Sequence, residues 1–391
     1  MPTGSFFTHP YSHPGAVRCA VAIVGGGTAG CATALALARR NVADVVVLEA
    51  KTALPAFRIG ETMPPTSGLV LRRLGFFKAF QAQGHVESVG SCASWGKPEL
   101  GYNDFLFDPH GCGWHLDRPA FENLLLETVA GRGINLLGGH HLRSIEPLAN
   151  GGYGLGFDTG NGVTHSLEAD FLVDATGIAA GAVRRLGVVR NPIDSLIVVF
   201  AVVELDAADA IPSQGFLEGA EWGWWYAARL PGGKMTVALA TDLPTLSAQG
   251  FRDAVAWRSA LRHTLHIAEL VERGRPRWSG RQPDTAVAES AILSRVVGSR
   301  WLAVGDAASS YDPITAQGLY KALSDGEAAG EAIAEFFDSG GGTAALWAYQ
   351  DALFGRFTDY LRLWEYLYSR EQRWSQAGFW RDRPLRKRFG S

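Results

Sequence analysis

Four cysteines in 391 residues, Cys19, Cys31, Cys92 and Cys112, are too few and too scattered for a disulfide scaffold, and no C-x-x-C pair occurs. This usage predicts a reducing, cytoplasmic setting. No apolar run approaches the roughly 18 to 20 residues that cross a bilayer, which argues against a membrane partner. A strong charge of either sign is also missing. With 36 Lys and Arg against 39 Asp and Glu, the formal net charge is −3, and nothing electrostatic points to nucleic acid. Neither a Gly-x-Ser-x-Gly elbow nor a P-loop is present, which disfavours the hydrolases and nucleotidases built on them. His110, Cys112 and His115 offer too few ligands at irregular spacing for zinc, and the adjacent His140 and His141 cannot share a helix face, so no metal is expected. Met1 to Arg18, rich in Pro, His and Gly, lack the cationic start and apolar stretch of a signal peptide and read as a flexible tail.

What is present is ordinary globular composition, 47% hydrophobic and 19% charged, carrying apolar runs that end in glycine or an acid. Cys19-Ala-Val-Ala-Ile-Val24 enters a glycine cluster, and Ala29 to Arg40 is dense in Ala and Leu. That order predicts strand, tight turn and helix. Val45-Val-Val-Leu48 stops at Glu49 and completes a β-α-β unit. Phe171-Leu-Val173 and Trp301-Leu-Ala-Val304 lead into Asp174-Ala-Thr-Gly177 and Gly305-Asp-Ala-Ala308, as buried parallel strands do. Leu196 to Leu205, Glu221 to Arg229 and Met235 to Ala240, the last two joined by Pro231-Gly-Gly233, predict an antiparallel sheet. Phe354, Phe357, Leu361, Trp364 and Tyr368 fall at helical spacing and read as one aromatic core face.

Gly25-Gly-Gly27-Thr-Ala-Gly30 fits G-x-G-x-x-G between a strand and a helix. Gly25 would allow the tight turn, Gly27 the close approach of a pyrophosphate, and Gly30 close helix packing, with Thr28 and Ala29 at the helix start. Glu49, about 20 residues on, is placed to accept ribose hydroxyls and to repel a 2′-phosphate, favouring FAD or NAD over NADP. The choice of FAD rests on a likeness. Gly305-Asp306 resembles the second flavin signature of glutathione-reductase-type flavoproteins, where the aspartate binds the ribityl chain, and Asp174 to Gly177 resembles their mid-chain signature. Pro313, Gln317, Gly318 and Leu319 precede or open an Ala-rich helical pattern, whose amides in such proteins face the pyrimidine edge of the flavin.

From about Cys19 onward the chain resembles the flavin-dependent halogenase and monooxygenase superfamily. The likeness is carried by Gly25 to Gly30, Phe57-Arg-Ile-Gly-Glu-Thr62, Ser94-Trp-Gly96, Leu116-Asp-Arg118, Trp224-Trp-Tyr226, Gly305-Asp-Ala307 and Asp312 to Gly318. Glu371 to Trp374 and Phe379-Trp380 fit the halogenase-like flavoproteins that oxidise tryptophan when protein-derived tryptophylquinone cofactors form. The resemblance implies that Arg58, Ile59, Gly60 and Glu61 line a flavin pocket and that Arg118 contacts the cofactor. Glu61 could steer protons or simply accept a structural hydrogen bond. The cluster around Trp224 could line the active site or pack a core strand. Halogenases carry a lysine a few residues before a motif like Trp95-Gly96. Here Ser88 aligns with it, and Lys78 and Lys97 read as surface charges. Their Trp-x-Trp-x-Ile-Pro motif is only loosely matched by Trp222 to Pro231.

The expected fold class is α/β. A Rossmann-like FAD-binding domain of the glutathione-reductase type spans 19–80, 115–180 and 290–340. It is interleaved with an antiparallel-sheet substrate domain at 81–114 and 181–289, and followed by a helical region at 341–391. The expected function is an FAD-dependent monooxygenase that hydroxylates an electron-rich aromatic, a small molecule or a tryptophan in a protein or peptide, through a C4a-hydroperoxide of the flavin. Electrons would come from NAD(P)H or a separate flavin reductase. A halogenase without the usual lysine, a flavin-bearing maturation partner of a quinoprotein, and a flavin oxidase or dehydrogenase remain open at this stage.

Overall fold

The computed structural model describes residues 17–53, 57–160, 163–381 and 383. Most of the expected tail lies outside the described residues, and its last two positions, Val17 and Arg18, already belong to the first strand. The alternation of apolar runs and Ala-rich segments produces a parallel core sheet. Val45–Glu49 and Asn135–Gly138 extend it on one side of Val17–Val24, and Thr164–Asp174 and Trp301–Ala303 on the other. Tyr153–Asp158 and His141–Pro147 continue it antiparallel. Burial on both faces explains why its central strands read as continuous Val, Ile and Leu.

Three helices cover this sheet: Thr28–Arg39, Arg118–Gly131 and Gly318–Asp338. The second begins where it does because Asp117 accepts the Ala120 N–H at 3.0 Å, with Pro119 in the first turn. The first and third meet along a seam without room for side chains. A Cβ at Gly326 would sit 2.6 Å from the Ala29 carbonyl oxygen, and one at Gly330 would sit 2.4 Å from Ala36 Cβ. At its rim Arg39 bonds both Glu327 and Glu331.

The second sheet is built on the antiparallel neighbours Leu196–Leu205, Lys234–Asp242, Gly223–Leu230 and Gly215–Ala220. Gly90–Ser94 then joins Gly215–Ala220 in parallel, and Gly101–Asp104 closes the far edge. Strand alternation sorts its tryptophans. Trp225 points to one core, where it meets Trp257 at 5.1 Å between ring centroids, while Trp224 points to the other face. That other face is covered by the helix Ala344–Arg370. Its buried stripe is Phe357, Tyr360, Trp364 and Tyr368, so the expected aromatic face is core: Tyr360 joins it, Leu361 packs half-buried at its edge, and Phe354 packs toward the first core. No helix among the described residues is long and apolar enough to cross a membrane.

Candidate functional site

A cavity of about 910 Å³ opens between the two sheets, and its walls come from segments far apart in sequence. At one end is the glycine turn. Gly25 has φ +114, and a Cβ there would strike the Ala175 carbonyl oxygen at 2.2 Å; a Cβ on Gly30 would lie 2.0 Å from the Gly25 oxygen. Both glycines are therefore required by the turn itself, and neither lines the cavity. Gly27 differs: a Cβ there meets nothing within 4 Å, because the residue faces the open cavity together with Thr28 and Ala29. Thr28 Oγ1 is buried without a partner at the helix start. Glu49 stands behind the turn, where Oε2 accepts the Gly26 N–H at 2.8 Å and Oε1 the Lys51 N–H at 2.9 Å. It orders the turn and is not part of the cavity wall.

Asp174 ties the neighbouring loop. One of its oxygens accepts the N–H and hydroxyl of Thr176, and the other accepts the amides of Ala182 and Val183. Ala175 and Gly177 are thereby set in the wall. Asp306, exposed within the cavity, follows the Trp301–Ala303 strand. Pro313, Gln317, Gly318 and Leu319 line the opposite side, where the helix Gly318–Asp338 begins. No side chain caps that helix, and a Cβ on Gly318 would enter open space, so its first amides face the cavity.

Arg58, Ile59, Gly60, Glu61 and Arg118 form a further wall. Arg118 is buried, donates to the Gly60 carbonyl and pairs with Glu122, which Arg58 also reaches at 3.2 Å. Its Nε has no partner. Burial pulls the guanidinium below its usual range, opposed by Glu122. Glu61, 1% exposed, accepts the Gly60 N–H through Oε2 at 3.0 Å and leaves Oε1 without a partner. Burial pushes its carboxyl up, while its backbone hydrogen bonds and Arg118 pull it down. Tyr226, whose hydroxyl shares a 2.6 Å hydrogen bond with Thr62, is raised well above its usual range by burial and by Glu61.

The remaining walls are apolar, including Val198, Phe216, Leu217, Ala238 and Trp224. Trp224 Nε1 donates to the Tyr368 hydroxyl at 2.8 Å, so its ring rather than its N–H is available to the cavity. Ser88 also lies on the wall, with Oγ donating to the Gly90 carbonyl at 3.0 Å.

Two features escaped the sequence reading. In the sequence His115 stands out only beside His110 and Cys112, yet it is a buried wall residue whose ring nitrogens complete no hydrogen bond. Burial lowers it to about 4, with only the Arg229 backbone pulling the other way. Asp312, noted only within a motif, is the buried hub of a polar network. A histidine beside Trp114 in a three-residue strand carries no period that marks it, and the partners of Asp312 lie up to 71 residues away.

The open turn at Gly27, the free Thr28 hydroxyl, the uncapped Gly318 amides and the unpartnered Arg118 Nε fit an anionic dinucleotide bound along the groove. Residues 18–353 match the FAD binding domain family. LodB of Marinomonas mediterranea, named as an FAD-dependent oxidoreductase, is 28% identical over 365 residues, covering 92% of this chain and 95% of its own. Among solved structures, the myxobacterial chondrochloren halogenase CndH superposes with a TM-score of 0.84 at 20% identity, covering 94% of this chain and 86% of that one. The flavin-dependent halogenase CmlS gives 0.81 at 23% identity, covering 95% and 68%.

Proposed function

Because the chain belongs to the FAD binding domain family and is an FAD-dependent oxidoreductase, we propose that it is a monooxygenase that hydroxylates an electron-rich aromatic held in the apolar arm of its cavity. In this reading Gly27, Thr28 and the helix start behind them would hold the pyrophosphate, Asp306 would accept from ribityl hydroxyls, and the Gly318 amides would stabilise the negative charge gained on reduction. Bound FAD would supply the electron transfer and the activation of oxygen. One oxygen atom of O₂ enters the substrate ring in place of hydrogen. The other leaves as water, consuming two electrons, brought as hydride by NAD(P)H or as reduced flavin by a separate reductase, and two protons, of which NAD(P)H brings one with its hydride and solvent the other. Trp224, Val198, Phe216 and Leu217 would hold the substrate ring and keep water from it. Glu61, with burial favouring its protonated form and Oε1 unpartnered, would hold a proton beside the reacting ring.

One observation favours this reading over halogenation. Among the described residues no lysine lines the cavity, and Ser88, aligned with the halogenase lysine, has its hydroxyl committed to Gly90. Lys78 and Lys97 are exposed. The resemblance of Glu371 to Trp374 and Phe379-Trp380 to flavoproteins that oxidise tryptophan favours a tryptophan side chain as the aromatic.

Purified holoprotein given reductant, oxygen and a panel of indoles, phenols and tryptophan-containing peptides should yield a product heavier by one oxygen atom, unchanged by chloride or bromide. A halide-dependent product, or hydrogen peroxide with no oxygen incorporated in any substrate, would overturn the reading.

A further inference from the structure

Beyond the helix Ala344–Arg370 the chain turns back across the second sheet and is fastened at three places. Glu371 accepts the Gly96 N–H at 2.8 Å and pairs with Arg373, which donates to the carbonyls of Ser94 and Gly219. Trp380 Nε1 donates to the Ala220 carbonyl at 2.8 Å. The third fastening is Arg383, 4% exposed, whose NH1 lies 3.3 Å from Asp312 Oδ2 and 3.8 Å from Asp194 Oδ2. Its guanidinium carbon also sits 4.6 Å from the Tyr368 ring centroid and 4.3 Å from that of Phe379.

Both acids are buried, and both are built into the cavity's frame. Asp312 Oδ2 accepts the Tyr368 hydroxyl at 2.7 Å and Trp364 Nε1 at 3.1 Å, and Oδ1 accepts the Ile314 N–H at 3.0 Å. Tyr368 in turn accepts from Trp224, a wall residue. Asp312 itself falls between Tyr311 and Pro313, which line the cavity. Asp194 accepts the amides of Leu196 and Ser290 and the Ser290 hydroxyl, and that hydroxyl meets Tyr360, which also accepts the Asp312 N–H. Two carboxylates this close in a dry interior repel each other unless a cation compensates them.

We propose that Arg383 is a positioning residue of the FAD cavity: its charge compensates Asp312 and Asp194 together, and through Asp312 it fixes Tyr368, Trp224 and the turn leading to the Gly318 helix. The same wall is needed whichever aromatic is oxidised, so failure of the monooxygenase reading would leave the role of Arg383 untouched. The charged and titratable groups facing Asp312 are Asp194, Arg383, Tyr360 and Tyr368, with Asp242 also acting on Arg383. Burial raises Asp312 to about 6, with Arg383 pulling it down and Asp194 pushing it up.

The test uses wild type, R383Q, R383K, D312N and D312N/R383Q as holoproteins, following the visible spectrum of bound FAD with pH and the melting temperature at one pH near 8. In wild type the spectrum shows a step near pH 6. R383Q moves the step up by about one pH unit or more, since the ionised carboxylate loses its counterion. R383K leaves it in place, and it is absent from D312N and D312N/R383Q. R383Q melts about 4 to 6 °C lower. D312N/R383Q regains at least half of that loss, because one of the two uncompensated charges, and the repulsion between them, is gone while Asp194 keeps its own donors. If R383Q does not fold, the double variant decides. A double variant no more stable than R383Q, a step unmoved in R383Q or surviving in D312N, or a wild-type spectrum with no step would each overturn the proposal.

Discussion

Gly27 and Gly30 stand in one turn and answer to different constraints. At Gly30 a methyl group would collide with the Gly25 carbonyl oxygen, so G30A should destabilise the apoprotein itself, by about 1–3 kcal/mol in denaturant unfolding. At Gly27 a methyl group meets only empty cavity, so G27A should leave apoprotein stability within about 0.5 kcal/mol. Titration of the G27A apoprotein with FAD should nonetheless show affinity weakened by about tenfold or more, because the methyl occupies the space a pyrophosphate needs. Equal stability losses in the two variants would contradict this division. His115 makes a pH prediction. Its native pKa, about 4, is depressed below the unfolded value near 6.5, so the folded state binds fewer protons between them. The associated stability is fully present above about pH 6.5 and is lost as pH falls through about 4, amounting to about 3 kcal/mol. Denaturant unfolding of wild type and H115Q across that window should show the wild-type slope reduced in the variant.

In the strand Gly223–Leu230, adjacent tryptophans serve opposite faces. Trp225 is packed against Trp257 in a closed core, so W225A should cost about 3–5 kcal/mol in unfolding free energy. Trp224 looks into the cavity and donates to Tyr368, so W224F should cost only about 1 kcal/mol while altering the visible spectrum of bound FAD. A spectrum altered by W225A at full occupancy and unchanged by W224F would reverse the assignment. The pairing of Gly90–Ser94 with Gly215–Ala220 shows why elements are harder to place than to recognise. The former has no apolar alternation, being rich in Gly and Ser, and its parallel neighbour is more than a hundred residues away. By contrast, the hairpin through Pro231-Gly-Gly233 is local and its turn chemistry is written in the residues that form it.

At the scale of the whole molecule, the cavity joins both sheets, so a ligand that fills it should stabilise them together. Free FAD at about 100 times its dissociation constant should raise unfolding free energy by about 2.7 kcal/mol, seen as a higher melting temperature than that of the apoprotein. The α/β architecture was legible because strand, glycine turn and helix lie next to one another in the chain, and two later apolar runs end in Asp174 and in Gly305-Asp306. The expected residues at Gly27, Gly60, Arg118 and Gln317 do line one cavity, on different walls, whereas Gly25, Gly30 and Glu49 stand behind its lining, holding the turn. What sequence could not show is the set of buried charges that meet only after folding: Asp194, Asp312 and Arg383 have no common period, turn or motif.

The glycine seam has a last consequence, which concerns time. Arg39 and Glu327, partners at its rim, are 288 residues apart. At about 5–20 residues per second, a ribosome takes on the order of 15 to 60 s to deliver the helix Gly318–Asp338 after Thr28–Arg39. During that interval the Ala-rich face of Thr28–Arg39 has no native neighbour, and the nascent chain presents it to whatever is nearby. Ribosome-bound chains arrested before Gly318 should therefore remain protease-sensitive at this helix, and become resistant only once Asp338 has cleared the exit tunnel.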